Sequence, residues 1–153
     1  SMFRAWLPAR PTRSMFQSLM WRLFFLSNFG TVLVIDDETG VREITAQQLR
    51  HMGFEVYIAA DSLSGLAMLQ AGVPELTAIL MDLTMPGLSS NVLFEEIRVL
   101  APAIPIVLMS GYNPAEARQQ CDALDIAGFL QKPFQLHTLR TVLAVALVSQ
   151  ERS

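Results

Sequence analysis

From Thr31 onward the apolar residues alternate between two arrangements: short unbroken runs, and stretches in which they recur at helical spacing. That alternation is the signature of repeated βα units around a parallel sheet. Five cycles can be counted, with strands predicted over Thr31–Ile35, Phe54–Ala59, Thr77–Met81, Ile104–Met109 and Ile126–Leu130. Their nearly continuous apolar character suits strands covered on both faces.

The intervening stretches predict helices. Val41, Ile44, Leu49 and Met52 fall on one arc of a first helix that Gly53 ends, and Leu63, Leu66 and Ala67 begin the stripe of a second after Asp61-Ser62. A third places Leu93, Ile97 and Leu100 on one side after the capping serines Ser89 and Ser90, and Pro102 enforces its end. The fourth is short: Asn113 reads as its N-cap, Pro114 as the first helical residue and Glu116 as an acid suited to the helix dipole. Leu136, Leu139, Val142, Leu143, Ala146 and Leu147 mark one continuous face of a fifth.

Charge changes the picture at the amino terminus. Residues 1–30 hold Arg4, Arg10, Arg13 and Arg22 and no acid, so the remaining chain carries a formal 7 − 14 = −7. An acidic body argues against binding a nucleic-acid backbone, which needs clustered Lys and Arg to displace counterions. The segment Met15–Leu26 is apolar but too short for a membrane span, which takes about 20 apolar residues, and Arg22 interrupts it. No small-residue cleavage site marks a signal peptide. The expectation is an extension or linker, helical in part, that packs on its own domain or on a neighbour in a homodimer, with a membrane-surface helix as the weaker alternative. The domain proper spans residues 31–149 and a short tail spans 150–153. A single cysteine, Cys121, forms no internal disulfide and is consistent with a reducing cytoplasm.

The polar residues that close the apolar runs carry the chemistry. Asp36 and Asp37 follow the first strand, Asp82 the third, Ser110 the fourth and Lys132 the fifth. Residues at the carboxyl ends of parallel strands fall in the crevice where open α/β sheets bind ligands. Crowded carboxylates repel one another unless a cation joins them, so a divalent metal site is the first hypothesis. Each residue alone has a plainer reading: the aspartates or Ser110 as helix caps, Lys132 as a solvated lysine. Their occupation of successive equivalent positions makes coincidence a poor account.

At this point the chain resembles the receiver domain of bacterial two-component response regulators. The motifs are Ile35-Asp36-Asp37-Glu38, Met81-Asp82-Leu83-Thr84-Met85-Pro86-Gly87, Met109-Ser110-Gly111 and Lys132-Pro133-Phe134. The resemblance implies a flavodoxin-like (βα)5 doubly wound parallel sheet of strand order 2-1-3-4-5. It implies that Asp82 accepts a phosphoryl group from a phosphohistidine on a histidine kinase or histidine phosphotransfer domain. Mg²⁺ would then lie among Asp37, Asp82, the backbone carbonyl of Thr84 and waters, with Asp36 assisting through water. Lys132 and Ser110 would contact phosphoryl oxygens, and a cis peptide before Pro133 would aim the lysine inward. Met85-Pro86-Gly87 reads as the turn leading out of the site. Ser110 and Phe129 would form the conformational switch, although Phe129 lacks a hydroxyl and reads equally as a plain core residue. Thr84 and Tyr112 would flank the path of a hydrolytic water. His51 and His137 lack a phosphohistidine context and read as solvated helix residues.

The chemistry fits these residue types. A carboxylate is a weak nucleophile toward an anionic phosphoryl group, so the site must cancel repulsion and hold the reacting atoms in line. Two other classes compete. A haloacid-dehalogenase-type enzyme also phosphorylates an aspartate, but it spaces nucleophile and acid two apart after its first strand, whereas Asp36 and Asp37 are adjacent. A phosphorylation-independent interaction module on the same fold is the stronger rival. Because only Ser149–Ser153 follow the fifth helix, the expected context is the carboxyl-terminal receiver of a hybrid kinase, a single-domain phosphate shuttle or a piece of a longer regulator.

Overall fold

The structure, a computed structural model, describes residues 29–151 apart from 86, 122 and 123. The expectations of a helix and a dimer contact within residues 1–28, of the turn proline Pro86 and of the last tail residues lie outside the described residues.

Five strands, β1 (Thr31–Ile35), β2 (Glu55–Ala59), β3 (Leu76–Asp82), β4 (Ile106–Ser110) and β5 (Gly128–Gln131), form one parallel sheet of order β2-β1-β3-β4-β5. The helices between and after them are α1 (Thr39–His51), α2 (Ser62–Ala71), α3 (Ser90–Leu100), α4 (Pro114–Cys121) and α5 (Leu136–Glu151). Because side chains alternate across a strand, β1 sends Leu33 and Ile35 to one face and Val32 and Val34 to the other. The first pair joins a core with Leu66 of α2, Leu93 and Ile97 of α3 and Ala117 of α4. The second pair meets Leu49 of α1 and Leu139 and Leu143 of α5. Two helices on one face and three on the other make the doubly wound architecture that the alternation predicts. The unbroken apolar runs of β1, β3 and β4 are buried throughout or nearly so, whereas the outer strand β2 is largely exposed.

Helix ends follow the sequence closely. The Asp61 side chain accepts from Ser64 N–H at 2.7 Å, and Ser89 Oγ accepts from Val92 N–H at 3.3 Å. Asn113 and Glu116 form a reciprocal capping box, with Glu116 N–H to Asn113 Oδ1 at 2.9 Å and Asn113 N–H to Glu116 Oε2 at 3.3 Å. Gly53 lies just past α1 with φ +104°, the left-handed conformation that glycine adopts without a Cβ penalty.

Helix faces do not. In α1 the sheet covers Thr45, Ala46 and Leu49, while Ile44 remains 58% exposed and Met52 is the C-cap rather than part of the helix. In α2 the buried residues are Ser62, Gly65 and Leu66, and the predicted Leu63 is 64% exposed. In α3 Phe94 joins Leu93 and Ile97 inside, and Leu100 lies outward. The face of α2 is chosen by close approach: an alanine Cβ at Gly65 would stand 2.7 Å from Ile35 Cδ1.

That contact decides a contest of magnitudes. Alanine is favoured over glycine in a helix by about 1 kcal/mol, but forcing a methyl against the fully buried Ile35 costs about 1–3 kcal/mol. At Gly40, in α1, an added Cβ meets nothing within 4 Å. Gly65→Ala is therefore expected to lower the unfolding free energy by about 1 kcal/mol and Gly40→Ala to raise it by a few tenths to about 1 kcal/mol, both read from urea melts. The opposite order would contradict the packing of α2 on β1.

Candidate functional site

Register builds the site. Ile35 of β1 is paired with Met81 of β3, so the residues that follow on the two strands, Asp36 and Asp82, emerge side by side. Asp82 is in turn paired with Met109, and Ser110 with Gln131, and Lys132 N–H continues the ladder to Ser110 C=O at 2.7 Å. The predicted residues thus share one rim.

Asp36 is wholly buried and held at several points. Its N–H donates to Ala59 C=O at 3.0 Å, its Oδ1 accepts from Glu38 N–H at 2.9 Å, and its C=O accepts from the Arg42 guanidinium at 2.7 Å. Asp82 is 4% exposed, and its Oδ1 accepts from Thr84 N–H at 3.2 Å. The Lys132 ammonium lies 2.8 Å from Asp36 Oδ2, 3.1 Å from Asp82 Oδ2 and 3.2 Å from Glu38 Oε1. The Lys132-Pro133 peptide is cis. Asp37 is exposed at the mouth, and the carboxylates of Asp36, Asp37 and Asp82 bring ligand oxygens within 4.8 Å of one another.

Three carboxylates thus surround one ammonium, and the titration behaviour follows. Burial pushes Asp82 up to about 6 from 3.8, against the lowering effects of the Thr84 N–H and Lys132, and the Asp36 charge adds to the rise. Burial pulls Lys132 down, but the close Asp36 and Asp82 carboxylates outweigh it and hold the ammonium above its ordinary value.

The residues fit a divalent cation on one specific ground. Asp36, Asp37 and Asp82 bring carboxylate oxygens within 4.8 Å of one another, and the buried Asp36 Oδ2 has the Lys132 ammonium at 2.8 Å as its counter-charge. Carboxylates so crowded repel one another unless a further cation joins them. An all-oxygen set of this kind suits a hard cation of the magnesium type.

Ser110 is buried at the end of β4, and its Oγ accepts from Tyr112 N–H at 3.0 Å, which leaves the hydroxyl proton to be donated elsewhere. Phe129 is half-buried against the core on the α3 and α4 side. Thr84 and Tyr112 line a common cavity of about 320 Å³ beside the rim. A larger cavity of about 610 Å³ runs from Asp37, Asp82 and Lys132 along α1 to Ile44, Gln48 and Phe134. His51 and His137 are exposed on helices, as expected.

Two contributors carry no role in the sequence reading: Glu38, which contacts Lys132, and Arg42, which reaches Asp36. Glu38 sits within the acidic motif, but nothing in a one-dimensional pattern says that it reaches a lysine 94 residues away. Arg42 left a usable signal, since a cation in the first turn of a helix opposes the macrodipole.

Similarity to known proteins agrees with this geometry. Residues 32–144 match the model of the response regulator receiver domain. The chain is 31% identical over 126 residues to sensor kinase CckA of Brucella abortus, covering 82% of this chain and 13% of that protein. It therefore spans a small part of that curated relative. Among solved structures, a CheY-like response regulator receiver domain protein from Methanospirillum hungatei superposes with a TM-score of 0.71 at 26% identity, covering 80% of this chain and 97% of that one. The response regulator TrrA of Thermotoga maritima, solved in complex with Mg²⁺-BeF, gives a TM-score of 0.66 at 25% identity over 78% of this chain and all (100%) of that one. With strand order, rim chemistry and family match in agreement, the chain belongs to the response regulator receiver domain family.

Proposed function

We propose that residues 31–149 act as the phosphoacceptor of a two-component phosphorelay, with Asp82 taking a phosphoryl group from a phosphohistidine on a histidine kinase or histidine phosphotransfer domain. The observation that carries this reading is the buried Asp82 carboxylate, flanked by Lys132 and by the Asp36 and Asp37 acids. An Asp82 oxygen forms the new P–O bond while the P–N bond to the donor imidazole breaks, and the imidazole keeps the bonding pair and is protonated as it leaves. Asp36, Asp37 and Asp82, with the Thr84 carbonyl, would hold Mg²⁺. When bound, that ion supplies the positive charge that lets an anionic group approach the acids.

The chain's own residues do the rest. Lys132 exchanges its contact with Asp82 Oδ2 for a phosphoryl oxygen, where a compact ammonium stabilises the added charge. The Ser110 hydroxyl donates to a second oxygen, and the Thr84 N–H, already directed at Asp82, lies beside the reacting carboxylate. Ser110 and Phe129 are the proposed switch, on which the phosphoryl group acts only through contacts that differ between two states. The packing of Phe129 against the core supports a structural role equally well. The proposed location is the cytoplasm, and among the described residues no helix is long and apolar enough to cross a membrane. A hybrid-kinase context is favoured by the similarity to CckA.

Incubation with Mg²⁺ and acetyl phosphate should add one phosphoryl mass to the protein, and Asp82→Asn should abolish the addition. Labelling that persists in the variant, or an absence of any response to acetyl phosphate or beryllofluoride, would favour the phosphorylation-independent module. Tyr112 is 40% exposed and shares a cavity with Thr84, so Tyr112→Ala should change the dephosphorylation rate several-fold without preventing labelling. An unchanged rate would remove Tyr112 from the water path.

Stability gives a third test. The folded value of Asp82, about 6, lies above the ordinary 3.8, so its proton favours the folded state. That contribution is complete below about pH 3.8 and is lost as pH rises through about 6. The loss is about 3 kcal/mol as an upper bound. With a chelator present, Asp82→Asn should therefore be more stable than the parent at pH 7, and the two should converge below pH 3.8 in urea melts. A variant less stable at pH 7 would show that the Lys132 contact outweighs burial.

A further inference from the structure

We infer that Arg42 is a positioning residue for the metal-binding acids, acting through the peptide that joins Asp36 to Asp37; the inference rests on the metal-dependent reading of the site. Arg42 lies in the first turn of α1, its backbone N–H closing the opening bond of the helix on Glu38 C=O at 2.9 Å. Its guanidinium turns back and donates to Asp36 C=O at 2.7 Å. A cation here is unfavourable by the ordinary rules, because the first turn of a helix carries partial positive charge. The first turn also lacks an acid, and the N-cap residue Glu38 makes no side-chain capping bond, its carboxylate being turned to Lys132 instead. The helix start is thus poorly provided for locally, and the residue that breaks the charge rule is bonded to the acidic loop. Local rules are broken chiefly where function compensates.

The bond has a defined geometric effect. Asp36 is fixed on its amino side by Ala59 C=O and through its own Oδ1 by Glu38 N–H. The Asp36 carbonyl belongs to the next peptide unit, whose plane sets the direction in which Asp37 leaves the chain, since the six atoms of a peptide are held planar. Holding that carbonyl fixes the plane. Asp37 is exposed and lies at the mouth of the metal cluster, so it depends on its backbone for orientation more than the buried Asp36 and Asp82 do. A charge-assisted bond from guanidinium to carbonyl is stronger than a neutral one. Groups that orient metal ligands from behind commonly change affinity by about 10–100-fold when removed.

The test is Mg²⁺ titration by calorimetry on the full chain, with melting of the metal-free proteins alongside. Arg42→Met should weaken Mg²⁺ binding by about 10-fold while melting within a few degrees of the parent, and Arg42→Lys, which keeps a charged donor, should recover most of the affinity. Arg50→Met removes the same charge from an exposed position on the same helix and should leave Mg²⁺ binding unchanged. If Arg42→Met does not fold, Arg42→Gln, too short to reach the carbonyl, is read in its place. Parental affinity in Arg42→Met, or an equal loss in Arg50→Met, overturns the positioning role while Asp37→Asn still loses the ion. Should the parent itself bind no Mg²⁺, the metal reading fails first, and this inference falls with it.

Discussion

Parallel pairing of β1 with β3, with Ile35 opposite Met81, sets two buried carboxylates side by side at the mouth of the sheet. Everything chemical about the domain depends on that alignment. Side chains alternate between faces along a strand, so a one-residue slip would turn Met81 and Ile79 out of their core and carry Asp82 away from Asp36. Register is protected by the apolar layers themselves: Leu33, Ile79 and Leu108 on one face and Val34, Leu80 and Val107 on the other are all fully buried. The core therefore serves as the gauge that spaces the acids, and its rigidity is transmitted to the site without any contact of its own with a ligand.

The rim holds what the core excludes. Asp36 is a wholly buried carboxylate, Asp82 is pushed up to about 6 by burial, and three carboxylates share the one ammonium of Lys132. Crowded acids with a single counter-charge are unfavourable in a metal-free protein, because buried charge is tolerated only when paired. Lys132 relieves part of this strain and is also the group expected to meet a phosphoryl oxygen, so one ammonium stabilises the resting acids and awaits the reaction. Glu38 reaches the same ammonium from an exposed position and adds a third partner that a phosphoryl group must outcompete.

The strands of this domain were more legible than its helix faces. Runs such as Thr31–Ile35 are apolar at every position, so no choice of face is needed to recognise them. Alpha helices demand that choice. In α1 the stripe Val41, Ile44, Leu49 and Met52 was right at Leu49, but Thr45 and Ala46 meet the sheet beside it and Ile44 lines the cavity beside the acids. In α2 Gly65 joins Leu66 on the inward face while Leu63 is left outside, because the helix comes within van der Waals distance of Ile35. Hydrophobicity ranks side chains by what they gain from burial, and it is blind to how closely two backbones approach.

By itself the chain determined the number and order of βα units, the caps at Ser89 and Asn113, and the placement of Asp36, Asp37, Asp82, Ser110 and Lys132 at strand ends, because each depends on neighbours within a few residues. Only the tertiary structure decided which of those ends touch. The Lys132 contacts with Asp36, Glu38 and Asp82 and the crossing of Arg42 to the Asp36 carbonyl are matters of distance between side chains and backbone, set by strand register and by where α1 begins. Pattern along a chain records which residues prefer water; it carries no record of the angles at which packed elements bring their charges together.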